Sequence, residues 1–178
     1  AVGEVFKKRF PCGSLFFIQA GIHQPKAKID QLGAVYLLPG AFVSRRNFRE
    51  PVYGAGADAY KRAHACVDIV TRQRPDLFIT EFFPLGWEEC RHELIPSLVK
   101  ASAQDTALWA VAGHPLLIGL HNEWRDKILK LYKRIFIFSP VLEKELIADS
   151  FIRTDDRQRY LDFFERNARK ITFAGYLL

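Results

Sequence analysis

Residues 76 to 86, Asp-Leu-Phe-Ile-Thr-Glu-Phe-Phe-Pro-Leu-Gly, are the most informative stretch of this chain. An apolar, aromatic-rich run stops at the carboxyl group of Glu81, and Pro84 and Gly86 then break the backbone before a helical pattern begins. Such a run predicts a central parallel strand that is covered on both faces. Open α/β sheets bind ligands outside the carboxyl ends of their strands, so we expect Thr80, Glu81 and the turn through Gly86 to lie at a binding site. The alternative is an ordinary strand-to-helix turn with a solvated glutamate.

Short apolar runs alternate with longer amphipathic segments along the rest of the chain, which predicts parallel strands joined by right-handed crossovers. The expected fold class is therefore α/β, a doubly wound, mainly parallel Rossmann-like sheet with helices on both faces. Pro96 lies inside a helical pattern and should kink or restart that helix near Leu94. The predicted strands cover residues 14–20, 34–38, 76–83, 107–112, 134–138 and 171–176. The predicted helices cover residues 1–10, 58–73, 87–103, 122–132, 142–150 and 155–168.

The size and composition of the chain indicate one globular domain over residues 1–178. Its mass is 20.5 kDa and 49% of its residues are hydrophobic, which is enough to bury a sizeable core. No apolar stretch reaches the ~18 residues that a membrane-spanning helix needs. The three cysteines, Cys12, Cys66 and Cys90, are widely spaced and form no C-x-x-C pair. This usage predicts reduced thiols in the cytoplasm and neither a disulfide framework nor a zinc site.

Basic residues are spread along the chain and give a net charge of +6. Lys127, Lys130, Lys133 and Arg134 recur along one face of a predicted helix. We find no nucleic-acid-binding motif, so no nucleic-acid partner is predicted. A solvated helix face explains this pattern, and the alternative is peripheral contact with an anionic membrane surface.

Polar residues also follow other predicted strands. His23 follows the first, Gly113 and His114 follow residues 107–112, and Ser139 follows residues 134–138. Parallel strands would bring all of them to the edge that holds Glu81, where a histidine can bind a phosphate or sugar hydroxyl or act as a general base. The alternative for His114 is a hydrogen-bonded structural histidine. The candidate catalytic pair is Glu81 and His114, and the candidate substrate-binding residues are Thr80, Gly86, Gly113, Ser139 and His23.

Common catalytic motifs are absent from the sequence. It has no Walker A motif, no G-x-S-x-G elbow and no H-E-x-x-H sequence, which excludes the commonest NTPase, hydrolase and zinc-protease classes. Glu88 and His92 are four residues apart on a predicted helix, but no second His or Cys stands at ligand spacing. Neither a metal nor a cofactor is therefore predicted.

The run Arg74-Pro-Asp-Leu-Phe-Ile-Thr-Glu-Phe-Phe-Pro-Leu-Gly86 is followed by Arg91-His-Glu-Leu-Ile-Pro-Ser-Leu98. Together they resemble the amino-terminal domain of predicted two-domain GT-B glycosyltransferases related to MurG. The closing Ile171-Thr-Phe-Ala-Gly-Tyr176 is similar to the strand that ends this domain. The resemblance implies a domain that holds the sugar acceptor. A carboxy-terminal domain outside this chain would bind the nucleotide-sugar donor, and hexosyl or N-acetylhexosaminyl transfer would occur in the cleft between the two domains.

The resemblance also implies a first strand and a glycine-rich, histidine-containing loop that would precede Ala1. The chain is therefore expected to be a truncated domain that is inactive by itself. Family members tend to carry an Arg-Asp pair where this chain has Gly113-His114, so the resemblance assigns no catalytic role to His114. Three functions stay open: the acceptor half of a transferase, a noncatalytic Rossmann-like binding module, and a domain that docks on a membrane surface.

Overall fold

The computed structural model describes residues 2–20, 33–38, 57–86, 88–112, 123–151 and 153–175. The chain divides into two compact units, Ala1–Cys66 and Val67–Leu178. The expectation of a single domain stays a prediction.

The described residues of the first unit form one helix, two parallel strands and the beginning of a second helix. Helix α1 covers Val2–Arg9, and strands β1 (Phe16–Ala20) and β2 (Ala34–Leu38) pair in parallel. Gly33 precedes β2, where a Cβ atom would lie 1.9 Å from the carbonyl oxygen of Leu15. Only glycine fits at this approach between the two backbones. Helix α2 (Ala57–Gln73) begins in this unit and ends in the second.

The second unit is built on a four-stranded parallel sheet in the order β3-β4-β5-β6. A 3₁₀ turn over Glu88–Cys90 precedes α3. The strands are β3 (Leu77–Glu81), β4 (Ala107–Ala112), β5 (Arg134–Ile137) and β6 (Ile171–Phe173). The helices are α3 (Arg91–Ser102), α4 (Glu123–Leu129), α5 (Val141–Ser150) and α6 (Thr154–Arg166).

The core of the second unit lies on one face of this sheet. The strands follow one another in chain order, so right-handed crossovers place α3, α4 and the α5–α6 pair on the same face. Leu108, Ala110, Ile135 and Ile137 are fully buried and belong to one cluster with buried residues of these helices. The prediction of an α/β chain with parallel strands is therefore confirmed, and the arrangement is consistent with a Rossmann-like fold.

The prediction that residues 76–83 form a central strand covered on both faces is wrong for the described sheet. Strand β3 spans only Leu77–Glu81, β4 is its one partner among the described strands, and Ile79 is 43% exposed. The apolar run belongs to two structural elements. It begins in β3, and Phe83 and Leu85 are buried in the turn that follows the strand. The apolar run is therefore long because it includes both the strand and the buried turn that follows it.

The predicted restart near Leu94 is wrong, because α3 continues through Pro96 from Arg91 to Ser102, and the alternative of a kink stays a prediction. A proline at this position leaves the carbonyl of His92 without its helical partner. Both Pro96 and His92 are exposed, so water can replace the missing donor. The remaining predicted segments agree with the observed elements to within a few residues.

Candidate functional site

The described segments that follow β3, β5 and β6 lie along one edge of the sheet of the second unit. The backbone N–H of Phe82 donates to Val111 at 2.7 Å, and that of Gly175 donates to Ser139 at 3.3 Å. The first bond continues the register of β3 with β4 past the end of β3, and the second joins the segments that follow β5 and β6. We call this side of the sheet the carboxyl edge. Glu81, Gly86 and Ser139 belong to it, as the sequence predicted.

Three predicted site residues, His23, Gly113 and His114, lie outside the described residues. Their roles, and the pairing of His114 with Glu81, stay predictions.

Glu81 is the last residue of β3, and it is exposed. Its side chain forms no hydrogen bond or ion pair with any residue that the structure describes. Its own carbonyl accepts a bond from the N–H of Phe83 at 2.8 Å, so the backbone behind the carboxyl group is fixed. The structure thus presents a solvent-accessible carboxyl group at the carboxyl edge.

The residues that follow, Phe82–Gly86, form a tightly tied segment that we call the β3 turn. Phe82 has a φ angle of 62°, a left-handed conformation that costs a residue with a side chain ~1–2 kcal/mol. The N–H of Gly86 donates to Phe82 at 2.6 Å and closes the turn. Phe83 and Leu85 are each 1% exposed, and their burial offsets the cost of the backbone conformation.

The side chain of Thr80 hydrogen-bonds to the backbone of the β3 turn. It is 4% exposed, and its hydroxyl lies 2.6 Å from the carbonyl oxygen of Phe83 and 2.9 Å from the hydroxyl of Tyr132. A carbonyl can only accept, so Thr80 donates to Phe83 and Tyr132 donates to Thr80. Burial raises the pKa of Tyr132, which keeps its proton. The Thr80 hydroxyl therefore supports the turn, and its predicted contact with a substrate stays a prediction.

A second set of contacts joins the beginning of α4 to the same turn. We call Glu88, Trp124 and Arg125 the α4 clamp. The indole N–H of Trp124 donates to Glu88 at 3.0 Å, and its ring stacks on Phe83 with centroids 5.7 Å apart. The Arg125 Nε–H donates to the carbonyl of Pro84 at 2.7 Å. Both α4 residues therefore hold the β3 turn in place.

The charges of the α4 clamp are partly balanced inside the protein. Arg125 is only 5% exposed, and this burial lowers its pKa, while the nearby carboxyl groups of Glu88 and Asp126 act in the opposite direction. Glu88 also accepts a bond from Arg91 at 3.2 Å. Glu88 thus accepts hydrogen bonds from both Arg91 and Trp124.

Sequence reasoning missed Arg125 and Tyr132, which fix the β3 turn. The sequence gave a weak indication for Arg125, because Trp124-Arg125 stands in the first turn of an amphipathic helix. The sequence gave no indication for Tyr132, because its hydrogen-bond partner Thr80 is distant in the chain.

Ser139 lies at the carboxyl edge but faces the interior. Its side chain is fully buried, and its Oγ atom is 3.5 Å from the carbonyl oxygen of Pro140. Gly175 beside it has a φ angle of 69°, and no atom lies within 4 Å of where its Cβ would be. The Ser139 hydroxyl is therefore enclosed in the protein, and its predicted contact with a substrate stays a prediction.

Within the described ranges, no three His, Cys, Asp or Glu residues stand close enough together to hold a metal ion. None of the three cysteines, Cys12, Cys66 and Cys90, forms a disulfide bond. None of the described helices has the length and apolar character to cross a membrane.

Comparisons with family models, curated proteins and solved structures found no match to this chain. The fold and the site define it as an α/β chain with parallel sheets and an exposed carboxyl group at the carboxyl edge.

Proposed function

We propose that this chain is the acceptor-binding half of a MurG-like, sugar-nucleotide-dependent glycosyltransferase. The observation that carries the proposal is the exposed carboxyl group of Glu81, at the carboxyl edge and without a partner among the described residues. The resemblance of residues 74–98 to such transferases supports the same function.

In this proposal Glu81 is the general base. It takes the proton of the acceptor hydroxyl while that oxygen bonds to the anomeric carbon of the donor sugar. The bond between this carbon and the phosphate oxygen breaks, and the nucleoside diphosphate leaves with the electron pair. A positioned base of this kind contributes about 10²- to 10⁴-fold to a rate. The nucleotide sugar would bind to a partner domain, and His114 would assist at the same edge.

The β3 turn and the α4 clamp suit this function because they fix the backbone next to Glu81. The hydroxyl of Thr80 and the guanidinium of Arg125 each bind a carbonyl within the turn. A reacting group must be held within fractions of an ångström of its productive position, which buried contacts of this type achieve. Gly86, at the end of the β3 turn, and Gly113 are the proposed acceptor contacts around this base.

The test is a titration of the ¹⁵N-labelled chain with glucose and N-acetylglucosamine as minimal acceptors. We expect the amide resonances of Glu81, Phe82 and Gly86 to shift with either sugar. Glu81→Gln should weaken the effect, whereas Glu165→Gln should not, because Glu165 is equally exposed but lies on α6. The absence of any shift, or equal shifts with a nucleotide alone, would contradict the acceptor role. If Glu81→Gln binds the two sugars as strongly as the original chain does, this result would favour the noncatalytic binding module.

A specific observation favours a second candidate function, docking on an anionic membrane surface. A group of cations stands at the amino ends of β5 and β6, and none of them pairs with a carboxylate in the described part of the chain. This basic cluster consists of Lys130, Lys133, Arg134, Arg169 and Lys170. Two of its members bind only carbonyls, since Arg134 donates to Arg169 at 3.3 Å and Lys170 to Leu129 at 3.0 Å. Lys127, by contrast, pairs with Glu123 at 2.8 Å.

Such unpaired cations each contribute about 1 kcal/mol near an anionic bilayer, and salt screens the attraction. We expect the chain to sediment with phosphatidylglycerol-containing vesicles at low salt and not at high salt. Lys133→Glu/Arg169→Glu should remove this binding. Lys8→Glu/Arg153→Glu changes the net charge equally at other exposed positions and should retain it. Equal loss in both variants would contradict docking through the basic cluster.

A further inference from the structure

No further inference is drawn: the strongest candidate, the outer edge of strand β3 beside the exposed side chain of Ile79, carries nothing, because nothing in the described part of the chain shows what covers that edge.

Discussion

The hydrogen bonds of Thr80 lead to a quantitative prediction for the stability of the second unit. Thr80→Val preserves the size of the side chain but removes the hydroxyl that bonds Phe83 and Tyr132. The carbonyl of Phe83 and the hydroxyl of Tyr132 have no other hydrogen bond in the described residues. Each buried group left without a partner costs about 1–3 kcal/mol, so the variant should lose about 2–6 kcal/mol.

A double-mutant cycle separates this cause from a general packing effect. Tyr132→Phe removes only one donor, and Thr80 still bonds to Phe83, so this single change should cost about 1 kcal/mol. In the double variant no phenol hydroxyl is left unpaired. The combined loss should therefore be smaller than the sum of the two single losses by about 1 kcal/mol or more.

Urea unfolding followed by tryptophan fluorescence measures these differences, because Trp87, Trp109 and Trp124 all lie in the second unit. Thr172→Val is the matched control, since Thr172 is exposed on β6, and its change should stay within about 0.5 kcal/mol. Additive losses, or a Thr80→Val variant as stable as the original chain, would refute the role given to the buried hydroxyl pair.

Further predictions concern stability and pH. Arg125→Ala should cost about 2–4 kcal/mol in urea unfolding, because it leaves the carbonyl of Pro84 unpaired. Arg157→Ala removes a surface ion pair and should change stability by less than about 1 kcal/mol; equal losses would contradict the α4 clamp. The raised pKa of Tyr132 means that the unfolded chain gives up this proton first, so stability is retained below about pH 10 and falls above it by up to ~1.4 kcal/mol per pH unit. Tyr132→Phe should lack this alkaline loss in unfolding measured across pH. Arg74→Gly should raise the free energy of unfolding by about 0.5–1 kcal/mol. Arg74 directly follows α2 with a φ angle of 43°, which glycine adopts without strain. An unchanged or lower free energy of unfolding would contradict this reasoning.

Much of the fold was accessible from the sequence because its elements are locally encoded. The runs at residues 34–38 and 107–112 are short, apolar and clearly bounded, and both are strands with those bounds. The alternation of strands and helices predicted parallel pairing, because a helical crossover joins two strands that run in the same direction, and such crossovers are right-handed. Local pattern and global topology agree throughout these segments.

The environment of β3 could not be predicted because it depends on contacts between distant residues. An apolar run does not tell whether Phe83 and Leu85 extend a strand or fold into a buried turn. The bond of Thr80 to Tyr132 and the bond of Arg125 to Pro84 join segments far apart in the chain. Glu81 was correctly expected at the carboxyl edge, because a strand and a following turn are both visible in the sequence.

The central claim is that Glu81 is a general base for sugar transfer. The most direct measurement is kcat for transfer by a protein in which a donor-binding domain follows this chain, as proposed, compared between Glu81→Gln and Glu165→Gln. The account predicts that Glu81→Gln lowers kcat by at least about 10²-fold with little change in the KM of the acceptor, whereas Glu165→Gln has no effect. A Glu81→Gln enzyme with unchanged kcat would contradict it.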